Sequence, residues 1–282
     1  MLAESEVDER STYVLEQRFE YSYTSAVRHL QHRLVAVPRS AHGSQVRESW
    51  SVEVVGSEAR MVVVPDPFGN HVVDLRARVV ESSIGFVVRS IVSWLDRGRS
   101  EAIARALLAD RRLLTPTALT VADAHLDEAA RELRSRSSDN VDFAERACAW
   151  SRAALTYGFG VTGVRTTASE ALAGGVGVCQ DYAHIMLALC RAVGVPARYV
   201  SGHLLGEGGS HAWVEVIASD PSGAIAVAFD PTHDRRAVDG YLTVALGREY
   251  TDVAPTSGSF RGEDTGLLTA SKSLRVLDRA PA

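Results

Sequence analysis

The first third of the chain alternates between apolar and polar side chains, which is the period of a β-strand with one buried face. The alternation is clearest from Tyr13 to Tyr23, and further short strand-like runs follow over 46–55, 61–64, 71–75, 76–80 and 84–94. Turn sequences separate these runs, as in an antiparallel sandwich. We therefore predict an all-β domain over residues 11–95.

After residue 95, apolar residues recur at the spacing of an α-helix instead of a strand. The charged, alanine-rich stretch over 96–118 has the composition of a connecting segment. A helix is predicted around 121–133. The next helix has an apolar stripe at helical spacing and a capping residue at Asp139 or Asn140. The stripe consists of Phe143, Ala147, Trp150 and Ala154.

The rest of the chain combines one more helix with strands. The helix runs from Cys179 to about Val193, where a glycine and a proline provide stop signals. Strands are predicted over 197–203, 211–217 and 224–230, which gives helices packed against an antiparallel sheet. We expect this α+β core to span residues 119–263. A loosely ordered tail is expected over 264–282, although its LLTASKSLRVL sequence could form a last strand.

One cysteine stands out because of where it lies. The sequence GVGVCQDYAH places Cys179 where a glycine-rich turn becomes a helix. The first turn of a helix leaves backbone N–H groups unpaired and carries about half a positive charge, which favours a thiolate. Cys179 is therefore the best candidate for a catalytic nucleophile.

Two later segments supply partners for a nucleophilic thiol. His211 opens HAWVEV, a strand pattern that projects the imidazole from a rigid element. Asp230 closes the next strand, and Pro231 ends it. A carboxylate at a strand end can accept a hydrogen bond from the imidazole and hold the ring toward sulfur. The pattern predicts a triad of Cys179, His211 and Asp230.

These motifs resemble the transglutaminase-like superfamily, whose core is papain-like. The matching sequences are GVCQDYAH, RAVGVPARYVSG, GGSHAWVEV and FDPT. GREYTDVAPTSGSFRG resembles the closing segment of bacterial members, and DPFGNHVVDL resembles the β-rich region that precedes the core in the bacterial cysteine protease subgroup. The resemblance implies an N-terminal antiparallel β-sandwich followed by a papain-like or transglutaminase-like catalytic core. It gives Cys179, His211 and Asp230 the roles of nucleophile, base and orienting carboxylate.

The sequence departs from the family pattern in three places. The segment before FDPT lacks the usual tryptophan, and His233 stands where asparagine is expected. His203 occupies a position that is often aromatic. We predict that His203, His233 and Asp234 are pocket or loop residues and do not take the roles of the triad histidine and aspartate.

Further residues are expected to contact substrate or the oxyanion. The backbone N–H of Cys179 is the predicted oxyanion donor, with Tyr157 as a second donor. Gln180 and Trp213 are placed in the same group, and Trp213 can equally be a core aromatic. His184 is expected to pack or hydrogen-bond around the site, together with Asp181.

The remaining cysteines have an ordinary explanation. Cys148 and Cys190 are predicted to be buried core residues. A metal site made of Cys179, His184 and Cys190 is disfavoured because their positions along one helix are too far apart for zinc ligands. We expect no metal and no other cofactor.

Composition narrows the range of partners. A chain of 282 residues with 46% hydrophobic content can bury an ample core. The net charge of −5, without basic clusters, gives no reason to expect a nucleic-acid partner. No apolar run approaches the ~20 residues of a membrane span, and three cysteines imply no disulfide framework. The sequence therefore favours a cytoplasmic protein away from the membrane, and leaves its oligomeric state open.

The expected activity is cysteine-dependent cleavage of an amide through an acyl-enzyme thioester. With water as acceptor the enzyme would be a peptidase or amidase acting on a peptide or protein. With an amine as acceptor it would be a transglutaminase or another acyltransferase, using a small acyl donor. A binding protein that keeps the fold without the chemistry is a further alternative. The sequence leaves the substrate and the acceptor open.

Overall fold

The computed structural model describes residues 11–94, 101–221, 223–238, 240–263 and 265–279. The strands are β1 (Ser11–Ser22), β2 (Val27–Val37), β3 (Ala41–His42), β4 (Gln45–Val55), β5 (Arg60–Pro65), β6 (His71–Val80), β7 (Ser83–Trp94), β8 (Glu101–Ile103), β9 (Thr156–Tyr157), β10 (Val176–Gly177), β11 (Ala197–Leu204), β12 (His211–Asp220), β13 (Gly223–Asp230), β14 (Arg235–Arg236), β15 (Tyr241–Gly247), β16 (Thr256–Arg261) and β17 (Leu267–Arg279). The helices are α1 (Arg111–Leu114), α2 (Ala124–Ser135), α3 (Asn140–Ala154), α4 (Ala168–Gly174), α5 (Cys179–Ala192) and α6 (Tyr250–Val253), with a 3-10 turn over Arg105–Ala109.

Two antiparallel sheets form the N-terminal sandwich. One has the strand order β17-β1-β7-β4-β3, and the other has the order β16-β2-β6-β5. Their facing surfaces enclose an apolar cluster that includes Phe19, Leu34, Leu75 and Phe86. The sandwich predicted from strand periodicity is therefore present.

The core places one helix inside a shell of other elements. Helix α5 contacts α2, α3 and α4 on its helical side, and β11 and β12 of the third sheet on the other. That sheet has the order β14-β13-β12-β11-β15, and β8 pairs with β13. Every residue from Gln180 to Arg191 is buried. The first residue of α5 is thus held by a helix with little freedom to move.

The three helices predicted in the core are observed with small shifts at their ends. The side chain of Asp139 accepts hydrogen bonds from the backbone N–H groups of Val141 and Asp142, so Asp139 is the cap of α3. Helix α4 and strand β15 were not predicted. No helix in the described parts of the chain is long and apolar enough to cross a membrane.

The C-terminal residues return to the N-terminal sheets. Strand β17 runs antiparallel to β1 along its full length, from Ser11 opposite Arg279 to Ser22 opposite Leu267. Strand β16 pairs with β2. The expectation of a loosely ordered tail is therefore wrong for residues 267–279, and the alternative of a last strand is what the structure has. The predicted domain limits stay predictions, but the sandwich uses strands from both ends of the chain.

The contact between sandwich and core is both apolar and polar. Leu15, Val35, Val72 and Val92 of the sandwich share one hydrophobic cluster with the core helices. Buried amides also pair with the backbone of β15. The Gln45 amide donates to the carbonyl of Thr243 at 2.7 Å and accepts from its N–H at 2.9 Å. Asn70 makes the same pair of bonds to Leu246, at 2.6 and 2.8 Å.

Two histidines of the sandwich have specific partners. Nε2 of His42 lies 2.7 Å from Oε1 of Glu215 in β12, and Glu215 also pairs with Arg198. His32 is 4% exposed and lies between the rings of Tyr21 and Phe86. His32 is buried because the alternation of buried side chains in β2 resumes at Leu30, after His29 adopts a positive φ of 52°.

Candidate active site

The thiol of Cys179 is positioned by the turn that starts α5. The carboxylate of Asp181 reaches back to accept the backbone N–H of Val178 at 2.8 Å, and it also accepts the hydroxyl of Thr162 at 2.7 Å. A side chain at Gly177 would place its Cβ 2.8 Å from the Asp181 Cβ, so only glycine fits there. The second glycine in GVGVC therefore lets the backbone at Gly177 pack closely against Asp181, and this packing fixes Cys179 at the helix N-terminus.

The three predicted triad residues come together at the first turn of α5. Nε2 of His211 lies 2.8 Å from Oδ2 of Asp230. The imidazole also hydrogen-bonds the Cys179 thiol, and Sγ of Cys179 lies 4.0 Å from the carbonyl oxygen of Ser210. Cys179 is half-buried, whereas His211 and Asp230 are buried. His211 therefore lies between thiol and carboxylate, with Nδ1 left for the thiol.

Electrostatics favour a protonated His211 and an ionised Asp230. Burial alone would lower the pKa of His211, but its hydrogen bonds to Asp230 and Cys179 raise it to about 10. Burial alone would raise the pKa of Asp230, but hydrogen bonds from His211, Tyr241 and His233 hold it well below its usual range. The imidazole and the carboxylate thus stabilise each other's charged form.

Asp230 is held by more donors than the sequence indicated. Its Oδ2 accepts from Tyr241 Oη at 2.6 Å and lies 2.7 Å from Nδ1 of His233. Its Oδ1 accepts the backbone N–H of Thr232 at 2.9 Å. Of these partners, only His233 carried a sequence signal, since it departs from the family pattern. Tyr241 lies on β15, and no sequence motif links it to the FDPT turn.

Tyr157 lies beside the thiol. It belongs to β9, which pairs with β10 just before α5, and Tyr157 is opposite Gly177. The pKa of Tyr157 is raised by burial and by its proximity to Cys179 and Glu207. The side chain remains 45% exposed, so it is available to a molecule bound in the cleft.

The side chains of Gln180 and Trp213 are buried, which restricts their direct contact with a substrate. The Gln180 side chain is 8% exposed and donates to the carbonyl of Gly163 at 3.3 Å, which ties the 157–166 loop to α5. Trp213 is 1% exposed and packs against Tyr241, with ring centroids 5.3 Å apart. It lies behind His211, at a centroid distance of 6.2 Å. Trp213 therefore supports the histidine from the core.

The other cysteines and histidines near α5 have structural surroundings. Burial raises the pKa of both Cys148 and Cys190 to about 12. His184 is fully buried, and its Nε2 accepts the backbone N–H of Tyr250 at 3.2 Å. His203 is buried, and its Nε2 lies 3.3 Å from Oε1 of Gln17 in β1. None of these four side chains joins the triad.

Three side chains of the candidate site are close enough together to be considered as metal ligands. Among the described residues, the ligand atoms of His211, Asp230 and His233 lie within 4.8 Å of one another. Those atoms already form hydrogen bonds of 2.8 and 2.7 Å centred on Oδ2 of Asp230. A metal ion there would compete with the hydrogen bond that orients His211.

The loop that follows Tyr157 exposes apolar side chains. Tyr157 packs edge-to-face on Phe159 at a centroid distance of 5.3 Å, and Phe159 is 80% exposed. Val161 and Val164 are also exposed and line a recess of about 820 Å³ beside this segment. A recess of this size can hold a small molecule or several peptide side chains.

Two family matches account for most of the chain. Residues 127–230 match the transglutaminase-like superfamily, and the match contains Cys179, His211 and Asp230. Residues 13–93 match the bacterial transglutaminase-like N-terminal region. The core belongs to the transglutaminase-like superfamily. Membership supports a cysteine-dependent enzyme, and the N-terminal region is the bacterial one that the sequence indicated.

The transglutaminase-like chain is similar to mycobacterial proteins over part of their length. An uncharacterized protein from Mycobacterium leprae is 35% identical over 160 residues, which are 53% of this chain and 55% of the relative. An uncharacterized protein from Mycobacterium bovis is 36% identical over 116 residues, which are 37% of each chain. The match thus spans about half of the first relative and less of the second.

Solved structures share the architecture. A candidate cysteine protease from Cytophaga hutchinsonii aligns with a TM-score of 0.77 and 19% identity, covering 97% of this chain and 93% of that one. The alignment includes both the sandwich and the transglutaminase-like core. At this identity the likeness concerns the fold.

Proposed function

We propose that the protein hydrolyses amide bonds in peptides or proteins through an acyl-enzyme on Cys179. The observation that carries this proposal is the position of His211, which hydrogen-bonds Cys179 on one side and Asp230 at 2.8 Å on the other. This is the order of groups that nucleophilic catalysis by a thiol requires. Cys179 is only half-buried, so part of its side chain can be reached by a substrate.

The proposed reaction uses Cys179 as the nucleophile and His211 as the acid and base. The thiolate attacks the amide carbon, and the C–N bond breaks while His211 gives its proton to the departing amine. His211 then takes a proton from water, which attacks the thioester and releases the acid. Asp230 keeps its charge throughout and stabilises the imidazolium form of His211.

The oxyanion would be stabilised at the start of α5. The backbone N–H of Cys179 belongs to the first turn of the helix and has no acceptor within it. Such a donor stabilises a tetrahedral intermediate because it points at the place where charge develops. Tyr157, exposed beside the thiol, is the proposed second donor.

Transfer of the acyl group to an amine is the second candidate reaction. It uses the same acyl-enzyme and differs only in the acceptor. The half-buried Cys179 and the open loop beside it leave room for an acceptor larger than water. The two reactions predict different products from one intermediate, so a single experiment separates them.

The test is incubation with a peptide library, with and without a small primary amine, followed by mass spectrometry. Hydrolysis predicts new chain ends or deamidated glutamines in both samples. Transfer predicts amine adducts that form only when the amine is present. Cys179→Ala should give neither product, whereas the buried Cys190→Ala variant serves as the matched control and should stay active. Products that persist in Cys179→Ala would refute the proposal.

A further inference from the structure

A carboxylate that the proposed reaction does not use lies beside the candidate triad. Glu207 belongs to the glycine-rich loop 205–210 between β11 and β12. Its Oε2 lies 3.5 Å from Nδ1 of His211, and its Oε1 lies 3.4 Å from Nε2 of His233. The Glu207 side chain is 37% exposed, so a molecule in the cleft can reach it.

The histidine nitrogen that Glu207 approaches indicates which part of a substrate would lie next to Glu207. In the proposed reaction, Nδ1 of His211 protonates the leaving amine and deprotonates the acceptor. A group next to Nδ1 therefore lies beside the leaving and accepting groups. The shared influence of Cys179 and Glu207 on Tyr157 indicates that these side chains border one space.

Two carboxylates lie around this space, and they differ in exposure. Asp230 is fully buried, whereas Glu207 is partly exposed. Glu207 is therefore the carboxylate that can attract a cation entering from solvent.

The chain itself shows that an alkylammonium fits against this loop. Lys272 of β17 is the only lysine in the protein, and its side chain is half-buried. Its ammonium donates to the carbonyl of Gly209, two residues after Glu207. The neighbouring glycines at 206, 208 and 209 are exposed, and nothing lies within 4 Å of where their side chains would be. The loop therefore has open space around these glycines for a second such group.

We propose that Glu207 forms a subsite for a second, non-reacting alkylammonium group carried by the leaving or accepting amine. Substrates of this class are amides of diamines and of lysine-like side chains, or diamines as acyl acceptors. The inference rests on the proposed acyl-enzyme at Cys179. It adds a preference for a positively charged amine partner.

The test compares two acceptors that differ in one group. Cadaverine and hexylamine have chains of equal length, and a methyl group in hexylamine replaces the second ammonium of cadaverine. The full-length protein is acylated with a 4-nitrophenyl ester, and mass spectrometry measures partition of the acyl group between water and each amine. The variants are Glu207→Gln and, as matched control, Glu132→Gln on the surface of α2, where Glu132 pairs only with the exposed Arg136 at 2.6 Å.

The wild type and Glu132→Gln should favour cadaverine by about 10- to 100-fold, the effect of one charge-assisted hydrogen bond. Glu207→Gln should lose this preference while its rate with hexylamine changes little. An equal loss with both amines would overturn the inference, because Glu207 would then act only by positioning His211. Equal rates with both amines in the wild type would also overturn it. Failure to acylate Cys179 would instead overturn the proposed function, and this inference with it.

Discussion

Replacing Asp230 with asparagine tests how the candidate histidine is held. The change keeps the size of the side chain but removes its charge and one of its two acceptor oxygens. In the structure, Oδ2 faces donors from His211, His233 and Tyr241 at 2.8, 2.7 and 2.6 Å. Oδ1 faces the backbone N–H of Thr232 at 2.9 Å.

The amide group of asparagine cannot satisfy this arrangement. If its oxygen keeps the bond from Thr232, its NH₂ group points at three donors. His211 can relieve this clash only by accepting at Nε2, which moves its proton to Nδ1. That nitrogen faces the thiol, so the imidazole can no longer take a proton from Cys179. We expect kcat/KM to fall by about 10²- to 10⁴-fold, which is the range for loss of an orienting carboxylate.

The same change should move the pH profile. The folded-state pKa of His211 is raised from 6.5 to about 10, so turnover should lose its general acid only near pH 10. Removing Asp230 takes away the largest contribution that raises this pKa, so the falling limb should shift to lower pH. The sign is fixed because an imidazolium without its carboxylate partner loses its proton more readily.

The assay is the rate of peptide or ester turnover from pH 5 to 11 for wild type, Asp230→Asn and Asp234→Asn. Asp234 is exposed and has a positive φ of 51°, which asparagine tolerates, so it is the matched control. Retention of near wild-type kcat/KM in Asp230→Asn would refute the orienting role. A larger loss in Asp234→Asn would show that the FDPT turn has been assigned to the wrong carboxylate.

Two further predictions concern the sandwich. Gln45→Ala should lower the free energy of unfolding by about 2–4 kcal/mol, because it leaves the buried N–H and carbonyl of Thr243 unpaired. Denaturant titration beside the exposed Gln31→Ala measures this, and equal losses would contradict it. Deleting residues 265–282 should cause self-association, because it exposes the edge of β1 that β17 covers. Size-exclusion chromatography checks this, and a monodisperse deletion variant with an unchanged unfolding midpoint would show that the strand is dispensable.

The candidate triad could be predicted from the sequence because each of its three residues lies at the end of a strongly patterned element. Cys179 starts a helix, His211 starts a strand, and Asp230 ends one. In each case the backbone pattern fixes the position, and the residue type then indicates the chemistry. Most strands of the sandwich were predictable for the same reason, since strand alternation depends on neighbours close in sequence. Strand β2, an inner strand of the second sheet, was not predicted.

The partners of the triad were harder to predict because they come from distant strands and loops. Tyr241 reaches Asp230 from a strand whose buried, apolar sequence gave no sign of a polar role. Glu207 lies in a glycine-rich run that matches no catalytic motif. The buried amides of Gln45 and Asn70 are paired through the edge of β15, a long-range contact with no local signal. Such contacts depend on tertiary packing, which local periodicity does not describe.

The most direct test of the central claim is competitive alkylation of the three cysteines. Iodoacetamide is added to the folded protein at pH 6 to 7, and peptide mapping follows the labelling of each thiol over time. Cys179 should react well before Cys148 and Cys190, because burial raises the pKa of both of these to about 12, while Cys179 is only half-buried and lies beside His211. His211→Ala should slow only the labelling of Cys179. Equal labelling of all three cysteines in the folded protein would contradict the assignment of Cys179 as the nucleophile.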